Sequence, residues 1–171
     1  KKSKFLFSAL ITNILSIAVH VYLTIQHYDL KLGITGEKSV CNLNATFNCD
    51  AVAASSYASI LGIPLALLAL ATHAILVFFI MSVLFEMTAN SKRILRYALW
   101  LSLFIALISL VMGAISSLII GTYCLFCIAT YLLSFLGLSF IWIGKEDKFG
   151  FEWVEDIQAL CGYLAKKPTG A

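Results

Sequence analysis

The chain has 171 residues and a formal net charge of +3; 61% of its residues are hydrophobic, 12% are charged, and its mean hydropathy is +0.94. That length suits one domain, but a water-soluble domain carries about 25% charged residues. These figures exclude an ordinary soluble enzyme. The small excess of positive charge gathers in short flanks rather than in a patch, which argues against a nucleic-acid partner.

The gaps between charges mark the elements. Phe5 to Ile25 carries no formal charge apart from the titratable His20; Ile60 to Phe85 and Tyr97 to Gly144 contain no Asp, Glu, Lys or Arg. A helix needs about 20 apolar residues to cross a bilayer. The last gap therefore holds two crossings, with the turn at Gly121-Thr122, where glycine relieves the backbone. The expected fold is an all-α integral membrane bundle of four transmembrane helices, near 5–25, 60–85, 97–120 and 122–143. Backbone polar groups in lipid must be satisfied internally, which makes the spans helices. The basic start of the first span resembles a signal peptide, but its length and the three spans after it read as a retained helix.

A long outer loop, 26–59, separates helices 1 and 2, and residues 1–148 form the membrane domain. Lys1, Lys2, Lys4, Lys92, Arg93, Arg96, Lys145 and Lys148 flank one side, against Lys31 and Lys38 on the other. The positive-inside rule then puts both termini in the cytoplasm and the 26–59 loop in a periplasm or lumen. The expected location is a bacterial inner membrane, or an endoplasmic reticulum membrane in a eukaryote. Within the loop, Asp50 to Tyr57 suits a short interfacial helix, a flap over the bundle mouth. Pro64 falls in the first turn of span two, where proline costs little. Asn44-Ala45-Thr46 is a glycosylation sequon. Residues 149–171 read as a cytoplasmic amphipathic tail, in which Cys161 is a bystander.

Two cysteine pairs carry the chemistry. By themselves, Cys41 and Cys49 read equally as a structural staple or as a redox pair. Cys124 and Cys127 form a C-x-x-C step opening the last helix, where free N–H groups and the dipole lower a thiol pKa. That favours a redox role over small buried hydrophobes or half a zinc site, and no metal is expected. Two dithiols in series at a membrane surface suit thiol–disulfide exchange with onward transfer to a lipid-soluble, two-electron acceptor, a quinone. Asn13, His20 and His73 lie within spans and read first as interhelical hydrogen-bonding groups, although ionisable groups in a membrane are also functional candidates. His27, just beyond span one, is a candidate relay for quinone protons.

The stretches Cys41-x7-Cys49, Cys49-Asp50-Ala51-Val52-Ala53-Ala54-Ser55, Leu61-Gly62-Ile63-Pro64-Leu65-Ala66 and Cys124-Leu125-Phe126-Cys127-Ile128-Ala129-Thr130-Tyr131 together resemble the vitamin K epoxide reductase family, including its microbial disulfide-forming homologues. The resemblance runs from Phe5 to Ile143. It implies that Cys41 exchanges with a thioredoxin-like partner and that Cys49 bridges to Cys124. It also implies that Cys127 faces the quinone and forms an adduct or charge-transfer contact with it. Ser55 matches a family hydroxyl near the site, and Tyr131 a tyrosine near the quinone head group. The quinone implied is ubiquinone, menaquinone or vitamin K. Mammalian members carry an Asn near the start of the second span; here that stretch reads Tyr57-Ala58-Ser59-Ile60. Two alternatives remain: reduction of vitamin K or its epoxide along the same thiol path, and a non-enzymatic tetraspan scaffold with a stapled loop.

Overall fold

The computed structural model describes residues 2–34, 41–42 and 46–145. The sequon residue Asn44 and the tail 149–171, with Cys161, lie outside the described residues. In chain order, α1 spans Lys2–Leu32, α2 Cys49–Ala54, α3 Leu65–Leu84, α4 Ser91–Ile115 and α5 Leu125–Gly144. A wider π-helical stretch, Ser116–Ile120, prolongs α4, and four helices have the length and apolarity to cross a membrane. This is the expected four-helix membrane bundle. One feature was not expected: a small antiparallel hairpin, Ser59–Ile60 with Ile63–Pro64, precedes α3. Pro64 is accordingly the residue before α3 rather than part of its first turn.

The helices form a ring in which α1 packs along α3 and α5, while α4 closes against the same two. Small residues set the spacing, as is usual where lipid removes any hydrophobic drive between helices. A methyl group on Gly144 would lie 2.9 Å from Leu6 Cδ2, and one on Gly137 would lie 3.3 Å from Asn13 Nδ2. At this end of the bundle Ala9, Leu76, Ile80, Ala98 and Ile141 form an aliphatic core. Phe7, Ile11 and Leu132 face outward, as a lipid-exposed surface requires.

At 31 residues, α1 is roughly 46 Å long, against about 30 Å of hydrocarbon. Its last turns therefore project beyond the bilayer, and the connection to α2 is shorter than the expected 26–59 loop. There Gln26 Nε2 donates to Asp50 Oδ1 at 2.7 Å and the His27 ring to Ala53 O at 3.0 Å, so α2 docks on α1. At the α4–α5 turn, Gly121 takes φ +71° and its N–H donates to Ser116 O at 3.0 Å. The chain reverses where glycine permits a left-handed residue.

Candidate functional site

The cysteines meet because two short backbone segments run side by side. Tyr123 N donates to Thr46 O at 2.8 Å, and Asn48 N donates to Tyr123 O at 3.0 Å. The residues just before Cys49 are thereby fixed beside those just before Cys124. Each segment then turns into a helix through a side-chain cap. Asn48 Oδ1 accepts from Ala51 N at 3.0 Å to start α2, and Cys124 Sγ accepts from Cys127 N at 3.2 Å to start α5. A sulfur in the N-cap position takes up one of the four N–H groups that a helix leaves unpaired at its start.

Cys41 and Cys49 are joined by a disulfide, with Cα atoms 5.6 Å apart, while Cys124 and Cys127 are free thiols. The Sγ atoms of Cys41, Cys49 and Cys124 all lie within 4.8 Å of one another, and all three residues are buried. Leu23, Val52, Phe126 and Cys127 pack around them. Three sulfurs this close suit a thiophilic ion only after reduction, since a metal ligand must be a thiolate. In the bonded state the arrangement suits exchange.

Polar residues adjoining both loop cysteines clasp them together. Asn42, next to Cys41, donates through Nδ2 to Asp50 Oδ2, and Asp50 follows Cys49. Gln26 of α1 holds the other oxygen of the same carboxylate. One side chain thus anchors both loop cysteine segments to α1.

Helix capping also acts on reactivity. The Cys127 thiol beside Cys124, together with the N–H groups of Cys127 and Phe126, pulls the Cys124 thiol below its ordinary pKa, although burial opposes this. Cys127→Ala in a Cys41→Ser/Cys49→Ser/Cys161→Ser background, where Cys124 has no disulfide partner, removes the largest of these contributions, so the Cys124 midpoint should rise toward the ordinary thiol range. Ultraviolet thiolate absorbance against pH reads this directly; an unmoved midpoint would show that the Cys127 thiol does not hold the thiolate.

Behind the sulfurs lies a cavity of about 290 Å³, into which Cys49, Cys124 and Cys127 face. Its wall is mostly apolar, from Leu65, Leu68, Phe104, Ile108 and Met112, as a site for a flat hydrophobic ring requires. Tyr131 lines it, one turn beyond Cys127, and its ring rests on Gly113 of α4. Ser55 stands apart: its hydroxyl donates to Val52 O at 2.8 Å, closing α2, and the residue is not part of the cavity wall. The structure thus brings together Cys41, Cys49, Cys124, Cys127 and Tyr131, but not Ser55.

One group of residues was not grouped by the sequence. His20 and His27 of α1 and His73 of α3 line this same cavity. Asn13 and His73 do make an interhelical hydrogen bond, at 2.7 Å. The available signal was spacing: Asn13, His20 and His27 recur every seventh residue on one face of α1.

The vitamin K epoxide reductase family profile matches residues 7–142. The chain belongs to that family. Family membership, with the four spanning helices, makes it a multi-pass membrane oxidoreductase and sets aside the stapled-scaffold reading. Enzymes of this family use quinones and generally work with thioredoxin-like partners. A search among curated proteins returned no match.

Proposed function

We propose that this vitamin K epoxide reductase family member oxidises a thioredoxin-fold dithiol on the outer side of the membrane and passes the two electrons to a quinone. The observation that carries the reading is the convergence of three sulfurs within 4.8 Å, at the head of an apolar cavity that Cys127 also lines. The partner dithiol attacks the Cys41–Cys49 disulfide and leaves as a disulfide, giving two loop thiols. The Cys49 thiolate then attacks a Cys124–Cys127 disulfide, forming a Cys49–Cys124 bond and releasing Cys127. Attack by Cys41 on Cys49 restores the loop disulfide and leaves Cys124 and Cys127 reduced. A bonded loop pair beside a free C-x-x-C pair is compatible with this last state, which would carry two electrons.

The residues present fit a quinone: the wall is apolar, and Tyr131 adds a polar tip to an otherwise greasy ring site. The quinone supplies a two-electron, two-proton acceptor soluble in lipid. The chain's part is to orient the ring, exclude water and hold Cys127 toward it. Net, a dithiol and a quinone become a disulfide and a hydroquinone, so electrons and protons balance. The cluster of Lys and Arg at the opposite end supports a cytoplasmic placement of both termini. This relay assigns no step to Ser55, whose hydroxyl donates to Val52 O.

The test is anaerobic single-turnover mixing of fully reduced protein with ubiquinone or menaquinone in detergent. Hydroquinone is expected to form as two thiols are lost, first at Cys124 and Cys127 and then, as the relay refills that pair, at Cys41 and Cys49, mapped by alkylation and mass spectrometry at successive times. Turnover with vitamin K epoxide alone would replace the proposed oxidant, and no turnover with any of them would sink the reading.

A further inference from the structure

The cavity wall carries nitrogen lone pairs that the thiol relay does not use. Asn13 Nδ2 donates to Ala9 O at 2.7 Å, which turns Asn13 Oδ1 toward His73 Nδ1, 2.7 Å away. An amide oxygen only accepts, so the hydrogen of the neutral ring sits on Nδ1 and Nε2 carries a lone pair. His73 is 2% exposed, and its Nε2 has no hydrogen-bond partner. His27 repeats the pattern: its Nδ1–H donates to Ala53 O and its buried Nε2 is unpartnered. His20 Nδ1 donates to Ser16 O at 2.7 Å, and its ring lies 5.2 Å from that of His73. Three rings in one cavity thus spend their N–H on backbone or amide oxygens and keep Nε2 as an acceptor.

A buried acceptor is satisfied by a ligand that brings a donor. A quinone brings two carbonyl oxygens and no donor; a hydroquinone brings two hydroxyls. We propose that His73, held in the Nδ1–H tautomer by Asn13, accepts a hydrogen bond from a ring hydroxyl of the bound ligand and so selects the hydroquinone over the quinone. This rests on the proposed quinone reading of the cavity. Asn13 is the positioning residue, and Gly137 leaves the room in which its amide sits. Preferential binding of the reduced form draws electrons toward the quinone. A tenfold preference raises the potential of a bound two-electron couple by about 30 mV.

The test uses Cys124→Ala/Cys127→Ala protein in detergent under anaerobic conditions, which cannot exchange electrons with a ligand, and two probes that lack the second ring oxygen of a quinone couple: 2-methyl-1-naphthol and its O-methyl ether. By titration calorimetry the naphthol should bind about tenfold tighter than the ether, the size of one good hydrogen bond in a dry site. His73→Phe should erase that preference while leaving the affinity for the ether. Nitrogen NMR of ¹⁵N-histidine protein gives an independent reading without substitution at His73. The naphthol, and not the ether, should shift one unprotonated Nε2 resonance, and Asn13→Ala should release that ring from the Nδ1–H tautomer. Equal affinity for the two probes, or a preference that survives His73→Phe, would overturn the inference. If quinone turnover by the wild-type protein persists in that case, the proposed function stands without it. Failure of both probes to bind, with no turnover, removes both.

Discussion

Cys124→Ala is expected to reduce quinone turnover by about a thousandfold or more while leaving the Cys41–Cys49 disulfide intact. Thiols held in contact react with effective concentrations on the order of 10⁵ M or higher, and this substitution removes the sulfur that lies within 4.8 Å of both loop cysteines. Cys49 also faces the cavity, but among the described residues Cys124 is the thiol that joins the loop pair to Cys127, which lies one helical turn further along α5. Cys127→Ala should fail differently. Cys124 then keeps its contact with the loop pair but lacks the thiol that resolves a bond to it. Mass mapping of this variant should find a Cys49–Cys124 mixed disulfide, with Cys41 released, and no hydroquinone formed. Full activity in either variant would show that electrons do not pass through the C-x-x-C pair. A stable bond from Cys124 to Cys41 instead of Cys49 would keep the relay and reverse the roles of the loop cysteines.

The spans were legible because charge is expensive in hydrocarbon, but that signal marks the membrane and not the helix. α4 begins at Ser91, and Lys92, Arg93 and Arg96 lie within its first turns; Asn90 caps it through Arg93 N. α1 runs on to Leu32 because α2 docks on its projecting end, through contacts between residues more than twenty positions apart that no local pattern encodes. α3 starts at Leu65 rather than Ile60 because Leu61 and Gly62 take φ +53° and +83° and turn a hairpin first. The cysteine pairs stood out by their spacing, and the N-cap position of Cys124 followed from the C-x-x-C opening a helix. The histidine wall did not stand out. Its residues come from two helices, α1 and α3, that pack together from distant parts of the chain, and only α1 repeats them at a regular interval.

Asp50 is the residue outside the sulfurs on which the relay should depend most. Its carboxylate receives Gln26 from α1 and Asn42 from beside Cys41, and hydrogen bonds to a charged group contribute about 1.5–3 kcal/mol each. The clasp matters most after the loop disulfide is reduced, when no covalent bond holds Cys41 near Cys49. Asp50→Ala should therefore slow transfer from the reduced loop pair to Cys124 by about ten- to a hundredfold, the loss of one such contact in orienting the thiols. Reduction of quinone from an already reduced Cys124/Cys127 pair should be unchanged, since neither thiol touches the clasp. Asp50→Asn keeps one acceptor oxygen and should fall between the two. Stopped-flow mixing resolves the two steps, begun once from the partner dithiol and once from fully reduced enzyme. Equal slowing of both would mean that Asp50 supports the fold of the whole cysteine end, whereas slowing of the first alone identifies the carboxylate as the part that keeps a reduced loop in reach.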